Sequence, residues 1–271
     1  NLYKDIIDNS SNNSTVFNAV LQNLVDQKFP VNDDMKEDAA TIIKQIKSAY
    51  KSNYGDNYKD SLNQALTSAG YKNLSEYRQK MIKQIQYANF LLDYIDDHFD
   101  DVFNDYYQQC APKYVSLIKI SVSDTSSPTD DETSKLNEVK ELISNTDKSF
   151  GDIAQDYSND STSSKKGSLG IVDSKDTSGI ANSYGKDVFN AIEALSEGQV
   201  SDVITGDNGY YFVKVTSTDK KTLKKELKKT DIDSPLLAYD DYLQYVVYNS
   251  YKINYKDKDI KKIVQEVVNK A

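Results

Sequence analysis

Through most of this chain apolar residues recur at helical spacing, and at Lys113 that rhythm gives way to alternation. Val115, Leu117, Lys119 and Ser121 alternate with Ser116, Ile118, Ile120 and Val122, one row more apolar than the other, which predicts a strand. Further on, Gly206-Asp207-Asn208-Gly209 separates two apolar runs, Val200 to Thr205 and Tyr210 to Val215, and predicts a β-hairpin. Between these signals the helical period returns. Leu136, Val139, Leu142 and Ile143 mark one helix, and Phe150, Ile153, Ala154 and Tyr157 a second. Val188, Ala191, Ile192 and Leu195 mark a third, which Gly198 stops. The turn-rich stretch Ser123 to Glu132 and the polar loop Ser158 to Gly167 separate them. The order strand, helices, strand, helix, strand, strand describes an α+β domain over residues 113–217.

The flanks are helical. In residues 1–112, Ser14 or Thr15 can cap a helix carrying Val16, Phe17, Val20, Leu21, Leu24 and Val25. Asn32 or Asp33 can start the next, with Ala39, Ile42, Ile43, Ile46 and Tyr50, up to a break at Tyr54-Gly55-Asp56. Leu62, Ala65, Leu66 and Ala69 form a third, stopped by Gly70. Asn73 or Ser75 opens a long fourth, and an acidic helix with Val102, Phe103, Tyr106 and Tyr107 runs to Pro112. In residues 218–271, Leu236, Leu237, Tyr239, Leu243, Val246 and Val247 give one apolar face, and Ile260, Ile263, Val264, Val267 and Val268 another. So short a tail cannot bury two such faces alone. It is expected to fold back onto the N-terminal helices, making one discontinuous helical domain with the α+β domain inserted.

Composition narrows the function classes. The net charge of -9 makes the chain a poor general binder of phosphate backbones, so no nucleic acid partner is expected. Lys220, Lys221, Lys224, Lys225, Lys228 and Lys229 form a basic run, read as a solvated linker or helix face, with contact to an anionic surface as the sharper alternative. No run of apolar residues is long enough to span a membrane. The chain opens Asn1-Leu2-Tyr3 without an initiator Met, as a mature or trimmed chain does. Its 21 Tyr beside 8 Phe and no Trp suit broad, wet contact surfaces, or reflect drift in composition.

Five segments in order resemble the parvulin family of prolyl isomerases. Tyr114 to Ser123 resembles its first strand, and Phe150-Gly151-Asp152-Ile153-Ala154-Gln155-Asp156-Tyr157-Ser158 its F-x-x-L-A-x-x-Y-S helix. Asp160, Lys165, Lys166, Gly167, Ser168, Leu169 and Gly170 resemble the loop ending G-G-D-L-G. Ala191 to Ser201 resembles A-x-F-x-L-x-x-G-E-x-S, and Gly209 to Val215 the closing G-Y-H-I-I-K-V. The flanks resemble PrsA and SurA-type extracytoplasmic foldases through Tyr54-Gly55-Asp56, Leu62, Gly70, Ser75, Glu76, Tyr77 and Arg78, and through Tyr106-Tyr107 ahead of the central module. The domains expected are therefore an N-terminal chaperone-like helical domain (1–112), a parvulin-like domain (113–217) and C-terminal helices packed on the first (218–271).

The chemistry of the family is not repeated. Active parvulins place two His near each other in the groove, with an Asp or Cys nearby. The matching positions here are Leu117 for the first His, Ser168 for the acid or thiol and Tyr211 for the second His. The chain has one His, His98, outside the module, so a two-His network is impossible. Tyr184, Val188 and Phe189 stand at the peptide-groove positions. His98 among Asp96, Asp97, Asp100 and Asp101 reads as part of a solvated acidic helix face rather than a metal or triad residue, and no metal or cofactor is expected.

The resemblance implies an extracytoplasmic folding factor that binds unfolded or partly folded secreted polypeptides, with the parvulin module inactive as an isomerase. It implies a place at the bacterial cell surface, lipid-anchored to the outer face of the membrane, or secretion. The anchor would be a cysteine at the mature N-terminus; Cys110, mid-chain, is a poor candidate. A homodimer is compatible with it. Two other readings stand beside this one. One is a weakly active peptidyl-prolyl cis-trans isomerase in which Tyr211 donates and Ser168 accepts; the other is a non-catalytic surface scaffold or adhesion protein.

Overall fold

The structure, a computed structural model, describes residues 13–228 and 232–270. The opening Asn1-Leu2-Tyr3 and Lys229 of the basic run lie outside them. In chain order the elements are α1 (Asn13–Lys28), α2 (Asp33–Tyr54), α3 (Tyr58–Ser68), α4 (Leu74–Asp97), α5 (Phe99–Cys110), β1 (Lys113–Ser121), α6 (Asp130–Asn145), α7 (Phe150–Tyr157), β2 (Ser168–Val172), α8 (Ile180–Tyr184), α9 (Lys186–Ala194), β3 (Ile204–Gly206), β4 (Gly209–Ser217), α10 (Lys220–Leu227), α11 (Leu243–Asn249) and α12 (Lys258–Lys270). The chain forms two compact units: one of residues up to His98 with those from Asp240 on, the other of Phe99 to the end of α10 with Ser234–Tyr239. β1 starts at Lys113, where the alternation begins, and β4 runs to Ser217, past the Val215 read from sequence, while the second unit starts at Phe99 and takes in α10.

The first unit is helical and discontinuous. Asn32 caps α2 by accepting from the Met35 N–H at 2.9 Å, and Asn73 caps α4 through the Glu76 N–H at 3.0 Å. Val16, Phe17, Leu21, Leu24 and Val25 turn one face of α1 inward. The C-terminal segment closes on it, as the unpaired apolar faces demand. Phe17 meets the rings of Tyr245 and Tyr248 at 4.8 and 5.2 Å, and α12 packs along α1 with Val264 buried. Phe90 of α4 lies between Phe29 and Tyr251, each ring 5.5 Å away.

One expectation fails here. Leu236 to Val247 is not a single helical face: Leu236 lies in a 3-10 turn over Pro235–Leu237, and α11 starts only at Leu243. Ser234 caps that turn, and Asp240 folds back to accept the Tyr242 N–H at 2.8 Å, so side chains compete with the helix for its backbone groups.

The second unit is built on an antiparallel sheet in the order β2-β1-β4-β3. One face carries Ile118, Ile120 and Phe212 and packs against Leu136 and Val139 of α6 and Phe150, Ile153 and Ala154 of α7. The other carries Val115, Leu117, Tyr211 and Val213 and packs against Ile180 of α8 and Val188 and Ile192 of α9. The first hairpin strand is shorter than Val200 to Thr205. Val200 makes only an isolated bridge to Lys214, and the Ser201 hydroxyl accepts the Val213 N–H at 3.1 Å in place of a ladder carbonyl. Helix α5 joins this unit through the buried Tyr106 hydroxyl, which donates to Asp173 at 2.9 Å. The basic run is helical from Lys220 to Leu227: Leu223 and Leu227 face inward, and Lys224 pairs with Asp100 at 2.8 Å.

Candidate functional site

The groove face of the sheet follows from the two-residue period of β1 and β4. Leu117 and Tyr211 share that face with Val188 and Ile192, while Leu169, Tyr184, Phe189 and Ile204 pack around them. A cleft of about 460 Å³ opens beside them, lined among others by Tyr184, Val188, Ile204, Asn208 and Tyr211. Gly206 makes room for the Tyr211 ring: a Cβ there would stand 2.7 Å from the Tyr211 Cε2.

The two tyrosine hydroxyls of this cleft are already engaged. The Tyr211 hydroxyl donates to Asn208 Oδ1 at 2.6 Å, and the Lys119 ammonium lies 5.6 Å from the centre of its ring. Tyr184 meets the Tyr211 ring edge-on at 6.2 Å and donates its own hydroxyl to Asp160 Oδ1 at 3.4 Å. Burial, then the Asp160 charge and this hydrogen bond, push the Tyr184 hydroxyl up to about 12, so near neutral pH it is a proton donor. Leu117 is fully buried and offers no polar group at all. The cleft presents two tyrosine rings together with a polar rim that includes Lys186, Asp187, Thr205, Asp207 and Asn208. A chain segment could lie against it, and the two-His network of an active parvulin has no counterpart there, because the one His of the chain is His98.

The structure does not bring Ser168 to this site. From Val115 paired with Gly170, a regular ladder would set Ser168 opposite Leu117. The register slips at Leu169, so Ser168 pairs with Ser116 instead. Its hydroxyl points to the opposite face of the sheet and donates to the Tyr114 hydroxyl at 2.9 Å. At the groove edge Asp160, which takes the Tyr184 hydroxyl, also accepts the Thr162 N–H and hydroxyl at 2.9 and 2.7 Å as the cap of a 3-10 turn, while Asp187 and Asp207 line the cleft itself. Asp160 ahead of Ser161-Thr162-Ser163-Ser164 is a capping signal that the sequence carries openly. His98 lies in the helical unit, stacked on Tyr94 at 4.1 Å with Nδ1 3.0 Å from the Tyr94 carbonyl. Among the described residues no group of three His, Cys, Asp or Glu side chains is placed to hold a metal ion.

Comparison with known proteins adds to this geometry. Residues 117–217 match the family model described as rotamase, PPIC-type PPIASE domain. The foldase protein PrsA of Staphylococcus epidermidis is 32% identical over 141 residues, covering 49% of this chain and 41% of that protein. The foldase protein PrsA of Staphylococcus aureus is likewise 32% identical over 141 residues with the same shares. The chain thus spans less than half the length of these curated relatives, at 41%. Among solved structures, foldase protein PrsA of Streptococcus pneumoniae is similar over 98% of this chain and 93% of its own, with 20% identity and a TM-score of 0.46. PrsA of Bacillus subtilis is similar over 97% and 92%, with 22% identity and a TM-score of 0.46.

Proposed function

We propose, from the premise that this chain carries a parvulin-like, PpiC-type domain and has PrsA-type foldases as relatives, that it is an extracytoplasmic folding factor that binds without isomerising. Its clients are unfolded or partly folded secreted polypeptides. The observation that carries this reading is the groove: Leu117, fully buried and apolar, stands with Tyr211, whose hydroxyl is taken up by Asn208. Rotation about a prolyl bond faces a barrier of about 18–20 kcal/mol, and lowering it needs polar groups preorganised for the twisted state. Here the frame of the groove is kept and those groups are not.

Binding needs less. Aromatic surface contacts are tolerant of sequence, and several weak ones on one client add through effective concentration. The helical unit offers such surface in Tyr54 and Tyr242, 52% and 51% exposed, and in a cleft of about 490 Å³ that Tyr242 and Tyr245 help to line. Among the described residues no helix is long and apolar enough to cross a membrane. Attachment to the outer face of the membrane would rest on a lipid anchor. The test is light scattering of an aggregating secreted protein. The chain in several-fold molar excess is expected to suppress aggregation; no suppression would sink the reading.

One observation favours a second reading, a weakly active isomerase. Tyr184 is a protonated donor held by Asp160 at the edge of the cleft that Tyr211 lines. A prolyl-peptide assay separates the two readings, because such activity would fall on Tyr184→Phe or Tyr211→Phe.

A further inference from the structure

On the face of the sheet away from the groove, strand register brings Lys214, Ser116 and Ser168 into one row across β4, β1 and β2. The row floors a cleft of about 370 Å³, walled by Lys165, Lys166 and the start of α7 from Ser149 to Gly151. Ser116 is 6% exposed and its hydroxyl, which opens on this cleft, has no hydrogen-bond partner among the described residues. Among the described residues the buried side-chain oxygen left without a partner is Glu193 Oε1, not that of Ser116, so the Ser116 hydroxyl is reached from the cleft and is free to donate to a molecule held there.

The other groups around it are donors too. Ser168 gives its proton to the Tyr114 oxygen, which leaves the Tyr114 proton to be donated onward. Phe150 and Gly151 are the first two residues of α7, whose N–H groups no carbonyl of the helix can accept, and the positive end of the helix dipole lies with them. Lys166 is paired with Asp152 at 2.7 Å, whereas Lys165 and Lys214 have no ion-pair partner among the described residues. No carboxylate lines the cleft, in a chain with 42 Asp and Glu against 33 Lys and Arg. The net negative charge does not cancel this. Beyond a Debye length of about 8 Å the distant carboxylates are screened, and a recessed group feels its own walls.

We propose that this back-face cleft is a binding site for a phosphate group, free or carried as an ester. Donors converge on it from the sheet below, from the helix end and from lysines on two sides. That arrangement suits a tetrahedral oxyanion better than the two coplanar oxygens of a carboxylate. The site is independent of the groove, which occupies the other side of the same strands.

The experiment is amide NMR of the 271-residue chain, titrated separately with inorganic phosphate and with glycerol 1-phosphate at ionic strength held constant with sodium chloride. Saturable shifts are expected at Ser116, Phe150, Gly151 and Ser168, with Tyr184 and Asn208 unmoved. Lys165→Gln and Lys214→Gln are each expected to weaken binding about tenfold, as loss of a charge-assisted hydrogen bond does, and Ser116→Ala to weaken it as well. Tighter binding of glycerol 1-phosphate assigns the site to an ester, and tighter or equal binding of inorganic phosphate to the free anion. Shifts that grow linearly without saturating overturn the proposal, as do saturable shifts left unchanged by Lys165→Gln. Lys165 is an exposed side chain outside the sheet, so that variant tests the site even if the buried ones fail to fold.

Discussion

At Gly167 the loop before β2 passes so close under β1 that there is no space for a methyl group. A Cβ there would stand 2.4 Å from the Leu117 carbonyl oxygen, and the residue has φ of +75°. Its own carbonyl accepts the Leu117 N–H at 2.8 Å, which ties the loop to the floor of the groove. Gly167→Ala is expected to cost about 1–3 kcal/mol of stability, read from urea unfolding. Tyr184 gives a prediction of the opposite kind. Its folded-state value, about 12, lies above the ordinary 10.0, so the folded chain holds this proton more tightly than the unfolded one. Stability from Tyr184 is complete below the ordinary value and is lost as pH rises from there towards about 12, by linkage. Alkaline melts of Tyr184→Phe should therefore fall less steeply than those of the unmutated chain. Leu117 and Tyr211 were brought together in the sequence by resemblance to the parvulin motifs, and the pairing of Leu117 with Val213 and of Lys119 with Tyr211 sets both on one face of the sheet. The place of Ser168 was not legible in the sequence, because the bulge at Leu169 changes the parity of the strand and leaves no mark in composition.

At the level of elements, the ends of helices carry most of what can be tested. Helix α6 starts in a stretch that reads as turn, and what starts it is a capping box: the Glu132 N–H donates to the Thr129 hydroxyl, and the Thr129 N–H to the Glu132 carboxylate. The spacing Thr129-x-x-Glu132 was visible in the sequence, but the apolar period begins only at Leu136, so the polar first turn looked like loop. Thr129→Ala is expected to lower stability by about 1 kcal/mol, measured by thermal unfolding. The N–H groups of Thr129 and Ser123 hold the Glu132 carboxyl down at about 2, below its ordinary 4.5. That contribution is present above the ordinary value and is lost as pH falls towards about 2. Glu132→Gln should flatten this part of the acid melt, and an unchanged slope would contradict the assignment. The end of α9 is closed by Lys113, which donates to the carbonyls of Ile192, Glu193 and Leu195 at 2.9, 2.7 and 3.0 Å. That contact joins segments remote in sequence, and no local pattern predicts it.

On the scale of the whole molecule, the helical flanks and the inserted α+β unit were readable because one change of period marks each end of the insert. The membership of α10 was not: read with the C-terminal helices expected on the N-terminal domain, it falls in the second unit, as does Ser234–Tyr239. Nor was that of α5. Its apolar stripe resembles those of the helices before it, and what ties it to the insert are contacts remote in sequence: Tyr106 donating to a fully buried Asp173, Tyr107 donating to the Thr218 carbonyl and Asp100 paired with Lys224. Asp173 also accepts the Lys175 N–H at 3.0 Å and the Thr177 hydroxyl, so removing Tyr106 leaves a buried carboxylate short of a donor. A fragment of residues 99–239 is therefore expected to melt cooperatively and at a higher temperature than one of residues 113–217. Equal melting temperatures would contradict that account of α5. The central claim is that this molecule keeps the frame of a prolyl isomerase and binds without its chemistry. The most direct test is the slow phase in the refolding of a protein limited by prolyl isomerisation, followed at increasing concentrations of the chain. The predicted rate constant is that of the uncatalysed reaction at every concentration. A rate constant that rises in proportion to the chain and falls back on Tyr211→Phe would contradict it.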